Sequence, residues 1–241
     1  MATHDFRKAD HLPNLRHDGI PPPPERLPRQ RCGTTPQMHG RYPDYDVLAH
    51  AEHWDEVTRG VVVSRAQTVP AISFFAAEEA RTLRAFCDLV LAQDAEPRIP
   101  VLEMVDAKLA AGDLDGFRHH DMPEDPETWR LVAAGLDEAA GGSFADLEGE
   151  EASRVVARFA DGELSGGVWE RIPCSKAWSV VMRGTLSAFY SHPWAWNEIG
   201  YGGPAYPRGY MRLGVGQREP HQGREVDAED PVQEVQRAGL G

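Results

Sequence analysis

An all-α protein is predicted: a compact orthogonal helical bundle, preceded by an irregular arm and followed by a tail rich in glycine, proline and aromatic residues. Three observations predict it. Apolar residues between positions 46 and 190 recur at spacings of three and four, the period of one helix face. The breaks between these stripes carry residues that start or stop helices, among them Asp46, Pro100, Gly112, Asp125-Pro126, Gly141-Gly142 and Gly162. No alternation of strand and helix patterns of the kind that builds a parallel sheet is visible. The chain divides accordingly into an extended arm (1–45), a helical domain (46–190) and an aromatic, glycine-rich tail with a mobile C-terminus (191–241).

In the arm, Pro21 to Pro24 favour extended polyproline II, which has no internal hydrogen bonds. Met38, Tyr42 and Tyr45 are the side chains that could anchor it to a partner. From Asp46, a capping residue, Val47, Ala51, Trp54 and Val57 share one helix face, and the β-branched run Val61-Val62-Val63 follows. Ser73 is placed to cap a helix with Leu83, Phe86, Cys87 and Val90 inward. Pro100 suits the first turn of a shorter helix carrying Leu102, Val105 and Leu109, with Gly112 at its end. Asp125-Pro126 opens a helix striped by Trp129, Val132, Ala133, Leu136 and Ala140, which Gly141-Gly142 closes. Ala152, Val155, Val156 and Phe159 mark another, stopped near Gly162. The last starts near Pro173, carries Trp178, Val181, Met182, Leu186 and Phe189, and ends at Tyr190-Ser191-His192-Pro193. These stripes read as core faces, not cofactor boxes. Beyond them, Trp194, Trp196, Tyr201, Tyr206 and Tyr210 lie among closely spaced glycines and prolines, a punctuation that predicts neither helix nor central strand. Residues 217–241 are polar and charged, and are expected to be mobile.

Thirty-eight acidic residues against twenty-five basic ones give a formal charge of -13. Such a chain does not condense onto nucleic-acid phosphates or onto an anionic membrane surface. Its three cysteines, Cys32, Cys87 and Cys174, are far apart and make neither a disulfide framework nor a thiolate metal cradle. No apolar run is long enough to span a bilayer, and the polar N-terminus has no apolar central stretch of the secretory kind. Arg26, Arg29 and Arg31 are not followed by one either, so a cytoplasmic location is expected.

Sites of chemistry are scarce. A Gly-x-Gly-x-x-Gly or Gly-x-x-x-x-Gly-Lys loop is missing, as is a Gly-x-Ser-x-Gly elbow, so no catalytic residue and no cofactor is assigned to this chain. His50 and His53 stand three apart on one helix face, with Glu56 one turn on. They could give two or three ligands to zinc or iron, and a metal-dependent helical enzyme built on them is the alternative function. A solvated hydrophilic face explains the same pattern. His119-His120-Asp121 and His192 are further histidine positions in other segments.

The segment Arg183-Gly184-Thr185-Leu186-Ser187-Ala188-Phe189-Tyr190-Ser191-His192-Pro193, followed by Trp196-Asn197-Glu198-Ile199-Gly200-Tyr201-Gly202-Gly203-Pro204, resembles the C-terminal signature of the gluconate 2-dehydrogenase subunit 3 family. The resemblance extends over about residues 73–210 through the order of helices, from Phe74-Phe75 to Phe144 and beyond. It implies the small, non-catalytic subunit of a flavin-dependent dehydrogenase acting on a sugar, glycoside or polyol. Its large partner would be a glucose–methanol–choline (GMC) oxidoreductase holding the FAD, with no cofactor in this chain. Two departures stand out: no twin-arginine signal is present, which leaves export with the partner open, and the stretch His192-Pro193-Trp194-Ala195 is shorter than in many members. The partner is expected to contact Tyr42, Tyr45, Tyr190, His192, Trp194, Trp196, Asn197, Tyr201, Tyr206 and Tyr210, because Trp and Tyr bury large area at low entropic cost.

Overall fold

A computed structural model describes residues 42, 45–93, 98–113, 116–207, 209 and 219–223. The polyproline run, Arg26, Arg29, Arg31, Cys32, Met38 and Tyr210 lie outside them. All regular structure among the described residues is helical, so the expected all-α class holds. The described residues form two compact units: Val69–Ser191, and those up to Thr68 together with those from His192 onward.

The Val69–Ser191 unit contains α2 (Ala77–Val90), α3 (Val101–Ala110), α4 (Asp125–Ala140), α5 (Gly149–Ala160) and α6 (Cys174–Tyr190); α1 belongs to the other unit. Its centre is aromatic. Phe86 of α2, Phe159 of α5 and Trp178 of α6 contact one another at ring separations of 5.2–6.0 Å, largely edge to face. Burying a side chain as large as Phe86 or Phe159 contributes on the order of 2–3 kcal/mol each. Gly135 in α4 allows Trp169 to lie against the helix backbone, since a Cβ there would stand 2.5 Å from the indole.

Buried and half-buried polar groups fasten the helices to the loops. Asp137 of α4 accepts bonds of 2.8 Å from the Thr82 hydroxyl on α2 and from the Phe144 N–H in the turn after α4. Buried Gln93 exchanges two hydrogen bonds with the backbone of Ile99, its amide donating at 3.2 Å and its carbonyl accepting at 2.8 Å, across the loop between α2 and α3. Asp106 of α3, fully buried, accepts from the consecutive N–H groups of Ser73, Phe74 and Phe75 at 2.7–3.1 Å. Asp106 therefore claims Ser73, expected as a helix cap. The start of α2 is instead held by Glu79, which reaches back to the Ala76 N–H at 2.9 Å. On α6, Leu186 is 39% exposed while Thr185 and Ala188 are buried, so the inward face is turned by one residue from the expected stripe.

The other unit is built from a 3-10 helix (Val47–His53), α1 (Glu56–Gln67), α7 (Pro193–Ile199) and the segments 200–207 and 219–223. The single helix expected from Asp46 is two. Asp46 accepts from the Leu48 N–H and starts the first; Asp55 accepts from the Thr58 N–H at 2.9 Å and restarts the chain as α1. The β-branched run Val61 to Val63 lies inside α1, with Val62 packed on Val47, Trp54 and Trp196. The expectation of no helix after Ser191 is corrected by α7. Its seven residues begin with Pro193 at the first helical position, where a missing N–H costs nothing, and His192 accepts from the Trp194 N–H at 3.2 Å. Gly200, at φ +64°, stops it within two turns.

Candidate functional site

Two groups of residues merit attention, both in the unit containing α1 and α7. In the first, the Asn197 side-chain oxygen accepts from the Val47 N–H at 2.8 Å, tying α7 to the 3-10 helix. Gly203, at φ +72°, passes directly over the Trp54 ring. The Tyr45 hydroxyl stands between the carbonyl oxygens of Tyr201 (3.0 Å) and His221 (2.6 Å). The Gly223 N–H donates to the Gly200 carbonyl at 2.9 Å. Within the stretch expected to be mobile, residues 219–223 are thus placed against α7's C-terminal end and Tyr45.

The residues expected at a partner surface differ in accessibility. His192, Trp196 and Asn197 are buried; Tyr42, Tyr45, Trp194 and Tyr201 are half-buried. Tyr206 is 70% exposed, Tyr190, in the Val69–Ser191 unit, is 42% exposed, and Tyr210 lies outside the described residues. Val57, expected on a core face with Val47, Ala51 and Trp54, is instead 76% exposed, because the chain restarts as α1 at Asp55 and turns Val62 inward; with Val61, 47% exposed one turn on, it makes an apolar surface on α1.

The second group is made of histidines. In a 3-10 helix three residues complete a turn, so His50 and His53 eclipse each other, and their rings stack at 25° with centroids 6.3 Å apart. His221, brought by the folded-back segment, meets His50 at 5.2 Å and His53 at 4.9 Å between centroids. One ring nitrogen of each lies within 4.8 Å of the others. His221 escaped the sequence reading because nothing near it in the chain signals a ligand; its neighbours in space are remote in sequence. Glu56 is not part of this group. His119 and His120 are in the other unit, where Asp121 is bonded to Lys176, which lowers its carboxyl pKa.

The described thiols are poor nucleophiles. Cys87 is buried against Thr185, and burial pushes its pKa up to about 12; Cys174 is raised for the same reason. At pH 8 only about one Cys87 in 10⁴ would be thiolate. Iodoacetamide should therefore leave Cys87 unlabelled in the native chain and alkylate it in denaturant, as peptide mass spectrometry would show; fast native labelling would contradict its burial. An unfolded thiol ionises near pH 9 and the folded one only near 12, so the unfolded chain holds fewer protons in that window. Stability should fall as pH rises through it.

No described helix is long and apolar enough to cross a membrane. Fold and residues together define an all-α protein in which the buried Asp106 carboxylate holds backbone N–H groups and the described thiols are buried. Comparison with curated proteins and with solved structures gives no match. Comparison with protein families matches gluconate 2-dehydrogenase subunit 3 over residues 77–203, just over half of the chain. The chain belongs to the gluconate 2-dehydrogenase subunit 3 family. The match begins at α2 and ends at Gly203, within the limits expected from the sequence.

Proposed function

We propose that this chain is the non-catalytic small subunit of a flavin-dependent dehydrogenase. It stabilises, or assists the maturation of, a larger GMC-type oxidoreductase that holds FAD and oxidises a sugar, glycoside or polyol. Membership of a family named as a dehydrogenase subunit is the observation that carries this reading. The disposition of side chains agrees with it: Asp106 and Asp137 are engaged by backbone and hydroxyl donors, and the Cys87 thiol is sealed by burial. The contact surface we assign is the exposed apolar ridge of α1, Val57 and Val61, with Tyr206 and the half-buried rings of Tyr42, Tyr45, Trp194 and Tyr201. Exposed apolar side chains one turn apart on a helix contribute when a partner covers them.

The test is co-expression with the large flavoprotein subunit, a GMC-type reading frame expected beside this one. The two polypeptides should co-purify, and soluble flavoprotein should increase several-fold over expression alone. Val57→Asp/Val61→Asp should reduce co-purification at least tenfold while leaving the isolated chain folded, because both side chains face solvent. Two polypeptides that neither co-purify nor alter each other's solubility would refute the reading.

A further inference from the structure

We propose that His50, His53 and His221 form a binding site for one first-row divalent metal ion of the zinc class, with a fourth coordination position left open. The inference is independent of the subunit reading. Neutral imidazole nitrogen is the donor that Zn²⁺ and its neighbours in the series favour, and three histidines with an open position is a known zinc geometry.

The placement of the three rings does not depend on a metal. His50 and His53 are aligned by the 3-10 helix, which Asp46 caps and Trp54 terminates by donating its N–H to the Ala51 carbonyl. His221 is positioned by its backbone: its carbonyl meets the Tyr45 hydroxyl at 2.6 Å, and two residues on, Gly223 is bonded to Gly200. Gly223 is packed so closely that a Cβ there would stand 2.8 Å from the Gly200 Cα. The tail is thereby delivered to the helix in a register that leaves the third imidazole over the other two.

The separations fit the ion. Metal–nitrogen bonds of about 2.0–2.1 Å in a tetrahedral site require nitrogens about 3.3 Å apart. The nitrogens lie within 4.8 Å of one another, so closure takes a contraction of at most about 1.5 Å. Half-buried or exposed side chains at this surface can make it by χ rotation without moving the backbone. The Glu52 carboxylate, 3.7 Å from the His53 Nε2, adds negative charge beside the site, and a chain of net charge -13 favours a dication. Binding would cross-link two segments distant in sequence, so the ion would stabilise this unit in proportion to its affinity.

The test uses the full chain expressed without a histidine tag and stripped with chelator, titrated with ZnCl₂ by calorimetry and followed by thermal unfolding. One equivalent should bind with a dissociation constant of micromolar or below, and the melting temperature should rise with zinc. His53→Ala, at an exposed position, and His221→Ala should each weaken binding at least tenfold and remove the zinc-dependent rise. His119→Ala/His120→Ala should change neither. Circular dichroism of each apo variant establishes that it is folded, and His53→Ala decides the matter if His221→Ala is not. Absence of saturable binding below 100 μM zinc, or binding unchanged in His53→Ala, would overturn the proposal.

Discussion

Replacing Asp106 with alanine is expected to lower the stability of the Val69–Ser191 unit by about 3–5 kcal/mol, among the largest effects of any single substitution in this chain. The carboxylate is completely buried and receives three successive backbone N–H groups from the segment leading into α2. A hydrogen bond to a charged group contributes about 1.5–3 kcal/mol, and its loss strands a donor; the Phe75 N–H has no water to replace it, because Phe75 is itself buried. The methyl of alanine also leaves a void under Phe74 and Phe75. Asparagine keeps the shape but turns one acceptor into a donor facing donors, and should still cost about 2 kcal/mol. Urea unfolding followed by circular dichroism measures both. A loss below about 1 kcal/mol for Asp106→Ala would mean that the segment finds other acceptors.

Gly203→Ala should have the second large effect, this one confined to the unit that contains α1 and α7. The residue has φ +72°, which costs an L-side chain about 1 kcal/mol, and the added methyl would stand 2.6 Å from the Trp54 ring and 3.0 Å from a Val47 methyl. Both Trp54 and Val47 are buried in the small core they share with Val62 and Trp196, so neither can yield without opening it. A total of about 2–4 kcal/mol is expected. Gly209→Ala separates strain from collision: its φ is +73° and no atom of the described residues lies within 4 Å of its Cβ position, so the conformational cost of about 1 kcal/mol is the effect expected there. Hydrogen exchange at residues 47–54 reports the difference. Equal protection in the two variants would contradict the close packing of Gly203 on Trp54.

Helices whose stripes combine with strong stop signals were legible from the chain alone. Phe159 and Val155 face inward on α5 as expected, and Gly141 closes α4 in the left-handed conformation that only glycine adopts readily. The departures have local causes. Ser73 looks like a cap until Asp106, thirty-odd residues away, takes its N–H; a rule based on near neighbours cannot see that competition. Asp55 was hidden inside a continuous apolar period because Trp54 and Val57 keep the spacing on either side of the break. The aromatic tail looked incapable of helix for its glycines and prolines, but Pro193 and Gly200 stand at the first turn and just past the end, where each is favoured. Of the histidine group, the i, i+3 pair was visible and the third member was not, since a fold-back through Gly223 is a tertiary event.

The family match runs from α2 through α6 and on to Gly203, so it takes in α7 but not the 3-10 helix on which Asn197 is anchored.

If turnover belongs to the partner, dye reduction coupled to sugar oxidation will follow the flavoprotein and not this chain. The large flavoprotein, produced with and without this chain, is assayed against a panel of sugars and polyols, beside the chain alone. Substrate-dependent reduction is expected from the flavoprotein, higher and longer-lived when it was produced together with this chain, and none from the chain in isolation. Sustained sugar oxidation by the isolated chain, or flavoprotein activity indifferent to its presence, would contradict that expectation.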